Sequence, residues 1–117
     1  MQIFSSVSAS IGRPVALDGD WRFFLDPEVR FAFGHLLTTR GALAALSRNA
    51  CGAWTYLSRH VTGDWGELDR ADAAENALSL RDGLRLLSAY ALPDGTRLWI
   101  ITEADRSCTT LLLPEEY

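Results

Sequence analysis

Three apolar, β-branched and aromatic runs crowd residues 85–117, RLLSAYALPDGTRLWIITEADRSCTTLLLPEEY, separated by Pro93-Asp94-Gly95-Thr96 and by Ala104-Asp105-Arg106-Ser107. Short runs of this kind, joined by tight turn-forming segments, pair as antiparallel strands. The segment therefore predicts a three-stranded antiparallel meander. A type I′ turn at Asp94-Gly95 would set Leu92 opposite Arg97, Tyr90 opposite Trp99 and Leu87 opposite Thr102. A four-residue loop from Glu103 to Cys108 then lines up Leu98, Ile100 and Thr102 with Thr109, Leu111 and Leu113, and Ala89 and Ala91 complete a core face. The opposite face carries Leu86, Tyr90, Trp99, Ile101 and Leu112, more apolar than a solvated face should be, so it needs cover from the N-terminal segment or from a second copy of the chain.

Upstream, the apolar spacing changes to three and four. Thr39 is placed to N-cap a short helix over 40–48 that turns Leu43 and Leu46 toward the core and ends at Asn49. A second helix, from about Cys51 to His60, aligns Trp54, Leu57 and Val61 on one face. Thr62-Gly63-Asp64-Trp65-Gly66 breaks it, because two glycines within four residues disfavour continuation. A third helix is capped by Asp69, has Asp72 and Glu75 near its N-terminal dipole and Arg81 in its last turn, and stops at Gly83. Residues 1–35 carry weaker signals: Val15-Ala16-Leu17, Trp21–Leu25 and Val29–Phe33 have strand character, and Ser5–Ser10 reads as a frayed arm. The expected fold is α+β: two or three helices on a C-terminal meander, extended by one or two N-terminal strands.

A length of 117 residues with 48% hydrophobic and 22% charged residues suits one core, so a single domain over 1–117 is expected. No stretch approaches the roughly 20 apolar residues that span a bilayer, and no signal-peptide pattern opens the chain, so the reading is a soluble, cytoplasmic protein without membrane contact. Cys51 and Cys108 lack metal-ligand spacing and read as reduced core thiols, with no metal and no cofactor expected. All eleven basic residues are arginine. The lack of lysine removes Schiff-base chemistry, a P-loop lysine and a lysine general base. A net charge of −4 argues against sequence-independent nucleic-acid binding, which needs cations to neutralise phosphates.

Three groupings could carry chemistry. His60, with Asp64 and Trp65 nearby, suits a general acid or base, because a neighbouring carboxylate orients the imidazole and raises its pKa; a histidine at a helix C-terminus beside a core indole is the plainer reading. At the hairpin, Glu103 and Arg106 could pair, and the arginine fork beside the hydroxyls of Thr102 and Ser107 could hold a phosphate or carboxylate, or the segment from Thr102 through Asp105 to Ser107 simply forms a polar turn. Asp64, Glu67, Asp69, Asp72 and Glu75 form an acidic strip able to imitate nucleic-acid phosphates, or merely a solvated helix face.

The stretches RHVTGDWGELD over 59–69, GLRLLSAY over 83–90, TRLWIITEADRS over 96–107 and LLLPEEY over 111–117 resemble a family of short bacterial proteins carried on plasmids and integrative elements. The likeness covers roughly residues 38–117 and leaves 1–35 as an extension. Members are labelled plasmid-related and sometimes a type I restriction subunit, although a chain this short lacks the cofactor-binding fold and catalytic motif of a methyltransferase subunit. Together with the acidic strip and the lack of a complete catalytic motif, the resemblance leads to a mobile-element accessory protein that binds another protein, one acting on nucleic acid or in host defence, with the loop, strip and hairpin residues Asp64, Trp65, Glu67, Asp69, Asp72, Glu75, Asp105 and Ser107 as contact residues. Two alternatives stand beside it. One is a metal-independent, ribonuclease-like toxin using His60 with Glu103 and Arg106; the other is a small dimerisation module joined through Tyr90, Trp99, Ile101 and Leu112.

Overall fold

The computed structural model describes residues 3–4 and 29–117. In chain order these form β1 (Ile3–Phe4), β2 (His35–Thr39), α1 (Arg40–Arg48), α2 (Ala53–Val61), α3 (Arg70–Asp82), β3 (Leu86–Ala91), β4 (Arg97–Thr102), β5 (Cys108–Leu112) and a closing 3₁₀ turn, Pro114–Glu116. The class is α+β. The expected strands at Val15–Leu17 and Trp21–Leu25 and the arm at Ser5–Ser10 lie outside the described residues, and Val29–Phe33 is irregular rather than a strand.

The sheet runs in the order β1-β2-β5-β4-β3. It is a mixed sheet, not only a meander. Strands β3, β4 and β5 pair antiparallel as expected, but β2 lies parallel to β5, with Leu36 beside Thr109 and Thr38 beside Leu111. This places β5 inside the sheet, which suits its four consecutive buried residues from Thr109 to Leu112. The five-residue β2, HLLTT, runs directly into the N-cap of α1, leaving it too short to show a period of its own.

The β4–β5 register is the expected one, with Ile100 opposite Leu111 and Thr102 opposite Thr109. The β3–β4 register is shifted by one residue: Tyr90 faces Leu98, Ala89 faces Trp99 and Leu86 faces Thr102. Pro93 explains the shift. A proline, whose ring fixes a negative φ, suits the first central position of a turn, and Gly95 N–H donates to Leu92 O at 2.8 Å with Gly95 at φ 89°, a three-residue loop ending in a left-handed glycine rather than a two-residue type I′ turn.

A one-residue slip exchanges the faces of a strand. Leu86, Ser88 and Tyr90 therefore join Leu98, Ile100, Thr102, Thr109 and Leu111 under the helices, and Ala89 and Ala91 go to the other side. The core packs Leu36, Tyr90, Leu98, Ile100 and Leu111 against Ala42, Ala45 and Leu46 of α1 and Tyr56, Leu57 and Val61 of α2. Leu43, expected in the core, is 53% exposed, because the buried stripe of α1 runs through Ala42, Ala45 and Leu46. The caps of α1 and α3 are the predicted ones: Thr39 Oγ1 accepts from Ala42 N, Asp69 accepts from Asp72 N, and Gly83 closes α3 in the left-handed conformation. Among the described residues, no helix is long and apolar enough to cross a membrane.

Candidate functional site

His60 lies in the last turn of α2, on the stripe it shares with Tyr56, Leu57 and Val61, and the structure leaves none of it exposed. Its Nδ1 is 2.5 Å from Ser88 Oγ and its Nε2 2.9 Å from Thr102 Oγ1. Thr102 Oγ1 is 2.7 Å from Thr109 Oγ1, which donates to the Phe33 carbonyl at 2.8 Å. A polar thread thus runs from α2 across β3, β4 and β5. Phe31 meets the imidazole edge-on at 5.2 Å and Trp65 at 5.8 Å. Burial, with a smaller contribution from the positive charge of Arg106, lowers the His60 pKa to about 3. The ring is neutral at physiological pH.

Glu103 and Arg106 do not pair. Glu103 receives Arg85 at 3.2 Å, and Arg85 also donates to the Tyr117 hydroxyl at 2.8 Å. The Arg106 guanidinium is spent on backbone: it donates to the carbonyls of Leu84 at 2.6 Å, Glu103 at 3.0 Å, Ala104 at 3.2 Å and Ser79 at 3.2 Å. It also lies 5.7 Å from the centre of the Phe31 ring, and no hydrogen bond joins it to His60 among the described residues. The three residues share one rim of the sheet, yet their side chains point into separate contacts. Asp105 and Ser107 close their own turn, with Ser107 N–H on Asp105 Oδ1 at 2.9 Å.

The acidic strip is divided in the same way. Asp64 takes two bonds from Arg59, at 2.7 and 3.3 Å, which hold its carboxyl below the usual carboxylate range. Glu67 pairs with Arg97 at 3.2 Å, and Asp69 caps α3. Of these five, Asp72 and Glu75 have carboxylates with no partner among the described residues. They border a cavity of about 170 Å³ between α3 and the edge of β3, lined also by Leu68, Asn76, Ser79, Arg85 and Leu87.

The Asp64–Glu67 loop does something the sequence did not suggest. It forms a parallel bridge to β3, with Ala89 N–H on Trp65 O at 3.1 Å and Glu67 N–H on Ala89 O at 2.6 Å. Asn76 extends the cover, giving its amide N–H to Leu87 O at 2.6 Å and accepting from Leu87 N–H at 3.2 Å. The β3 edge is closed by loop and side chain. Asn76, midway along α3 and ten residues before β3 begins, is the one signal that could have pointed there.

The expected dimer face is not a single surface. Tyr90 is on the helix side and 1% exposed, while Trp99, Ile101 and Leu112 are on the other. Ile101 and Leu112 are already buried within one chain, and the Tyr117 ring packs edge-on to Trp99 at 5.9 Å. The two cysteines are free and half-buried; Cys51 receives a hydrogen bond from Tyr56 Oη at 3.6 Å. Among the described residues, no group of three or more His, Cys, Asp or Glu could hold a metal ion. No family model, curated protein or solved structure matches the chain.

Proposed function

We propose that this chain is a binding module without chemistry of its own, the accessory protein of a mobile element that its motifs resemble, and that α3 is the element its protein partner grips. The observation that carries this reading is the way α3 is held. Of its thirteen residues only Asn76 and Ser79 are buried, and both attach through polar groups. A helix with so little apolar burial is retained for what its outer surface meets, not for the core it completes. That surface offers Leu78, with Leu84 just beyond the helix, about half exposed, alongside Asp72 and Glu75, whose carboxylates have no partner among the described residues.

The ribonuclease-like alternative draws no support from this geometry. A general acid–base must reach its substrate and titrate near neutrality, whereas His60 is enclosed and neutral, and the Arg106 guanidinium is engaged with four backbone carbonyls. Paired affinity captures test the proposal. A specific protein recovered by the wild type should bind Leu78→Arg/Leu84→Arg at least about tenfold more weakly once both are purified, while Leu43→Arg, on the far side of the fold, binds normally. Equal binding by all three, or no specific partner, rejects it.

A further inference from the structure

The hydroxyl and imidazole contacts around His60 have a direction that donor counting determines. Thr109 has one hydroxyl proton and gives it to the Phe33 carbonyl, so its oxygen must accept from Thr102. Thr102 has then given its own proton away, and it can meet His60 Nε2 only as an acceptor. The imidazole is therefore the Nε2–H tautomer, and Nδ1 is a bare acceptor that takes the Ser88 proton. The thread runs Ser88 to His60 to Thr102 to Thr109 to Phe33, one proton per link.

We propose that this thread is an acid-sensitive joint: uptake of one proton at His60 Nδ1 reverses its first link, places a cation in a dry site, and weakens the seating of α2 on β3 and β4. The charged groups of every element packed around the ring support this. On its own helix Arg59 is paired with Asp64 of the following loop, and Arg30 donates to Thr62 O. On β3, Tyr90 gives its proton to Asp64 O, and beyond β4 Glu103 is paired with Arg85. Asp105 accepts within its own turn, and Arg106 presents positive charge toward the ring. No carboxylate among the described residues is hydrogen-bonded or ion-paired to the imidazole, so nothing balances the proton when it arrives.

Sign follows from burial. A histidine whose folded pKa is lowered to about 3 from 6.5 contributes stability that is complete above 6.5 and is lost as pH falls toward 3. Two measurements on the full chain test the joint. Long-range ¹H–¹⁵N correlation of the imidazoles should show His60 as the Nε2–H tautomer at pH 7 and still neutral at pH 5 while the chain is folded. Urea unfolding at steps from pH 7.5 to 4 should show the wild-type folding constant falling more steeply than that of His60→Gln, by up to roughly tenfold per pH unit below 6.5. An Nδ1–H tautomer, a His60 that protonates in the folded chain near pH 6, or parallel pH profiles would overturn it. Should His60→Gln fail to fold, the tautomer and the wild-type imidazole titration decide alone.

Discussion

Arg106 sits at φ 61°, a left-handed conformation that is uncommon for any residue with a Cβ and persists where its surroundings hold it. What holds it is the set of carbonyls at the end of α3 and the entry to β3 that its guanidinium collects, with Phe31 beneath. Strain and bonding oppose each other, and two substitutions separate them. Arg106→Gly relieves the backbone and Arg106→Ala does not, so the glycine variant should be the more stable by about 1 kcal/mol. Both should fall below the wild type by about 1–3 kcal/mol, because the Ser79 and Leu84 carbonyls lose a charged donor. Urea denaturation reads both differences; an alanine variant, which keeps the backbone strain, as stable as the wild type would show that the guanidinium contributes nothing. Gly66 is the converse case. At φ 73°, an added Cβ would come within 2.0 Å of Ala89 O, and Gly66→Ala should cost about 2 kcal/mol or more by opening the loop bridge to β3.

At the scale of elements, helices α1 and α2 are held by apolar stripes and α3 by an amide. The difference has a thermal consequence. Asn76 supplies Leu87 with both a donor and an acceptor, as a neighbouring strand would. Asn76→Ala leaves those backbone groups without protein partners and removes one of two buried anchors of α3. Hydrogen exchange should then show protection lost across 70–82, by about 1–3 kcal/mol in opening free energy, with 98–102 and 109–112 unchanged. Uniform loss of protection through the sheet would instead make α3 part of the global core. The same weak attachment underlies the proposed partner site, since an element held by few contacts can adjust to what it meets.

Across the whole molecule, the C-terminus is tied back to the first helix. Glu116 accepts from Thr39 Oγ1, from Gly41 N–H at 3.1 Å and from Leu113 N–H at 2.9 Å, joining the closing turn to the N-terminus of α1. Burial raises its pKa, but the Thr39 hydroxyl and the Leu113 and Gly41 amides outweigh that and hold the carboxyl below its ordinary 4.5. A depressed carboxyl contributes stability above its unfolded pKa and loses it as pH falls through the folded value. Glu116→Gln should therefore be less stable than the wild type at pH 7, by about 1–2 kcal/mol, and the gap should narrow below pH 4.5. A gap that persists at pH 3 would place the contribution in shape rather than charge.

Local chemistry alone determined the helix ends and the second hairpin. Thr39, Asn49, Asp69 and Gly83 act on the backbone within a few residues of themselves, and the Glu103–Cys108 loop fixes its own register. The first hairpin was legible as a hairpin but not in its register, because Pro93 and Gly95 compete to place the turn, and one residue exchanges the strand's faces. Strand β2 and its parallel pairing with β5, 73 residues away at Leu36 and Thr109, leave no trace in either segment. The fate of the candidate site was equally non-local. His60, Glu103 and Arg106 carry the same functional groups whether exposed or enclosed, and only tertiary packing decided that the imidazole is dry, that Glu103 faces Arg85 and that Arg106 serves four carbonyls. Residue type sets which bonds a side chain can make, and the surrounding fold sets which of them remain to be made.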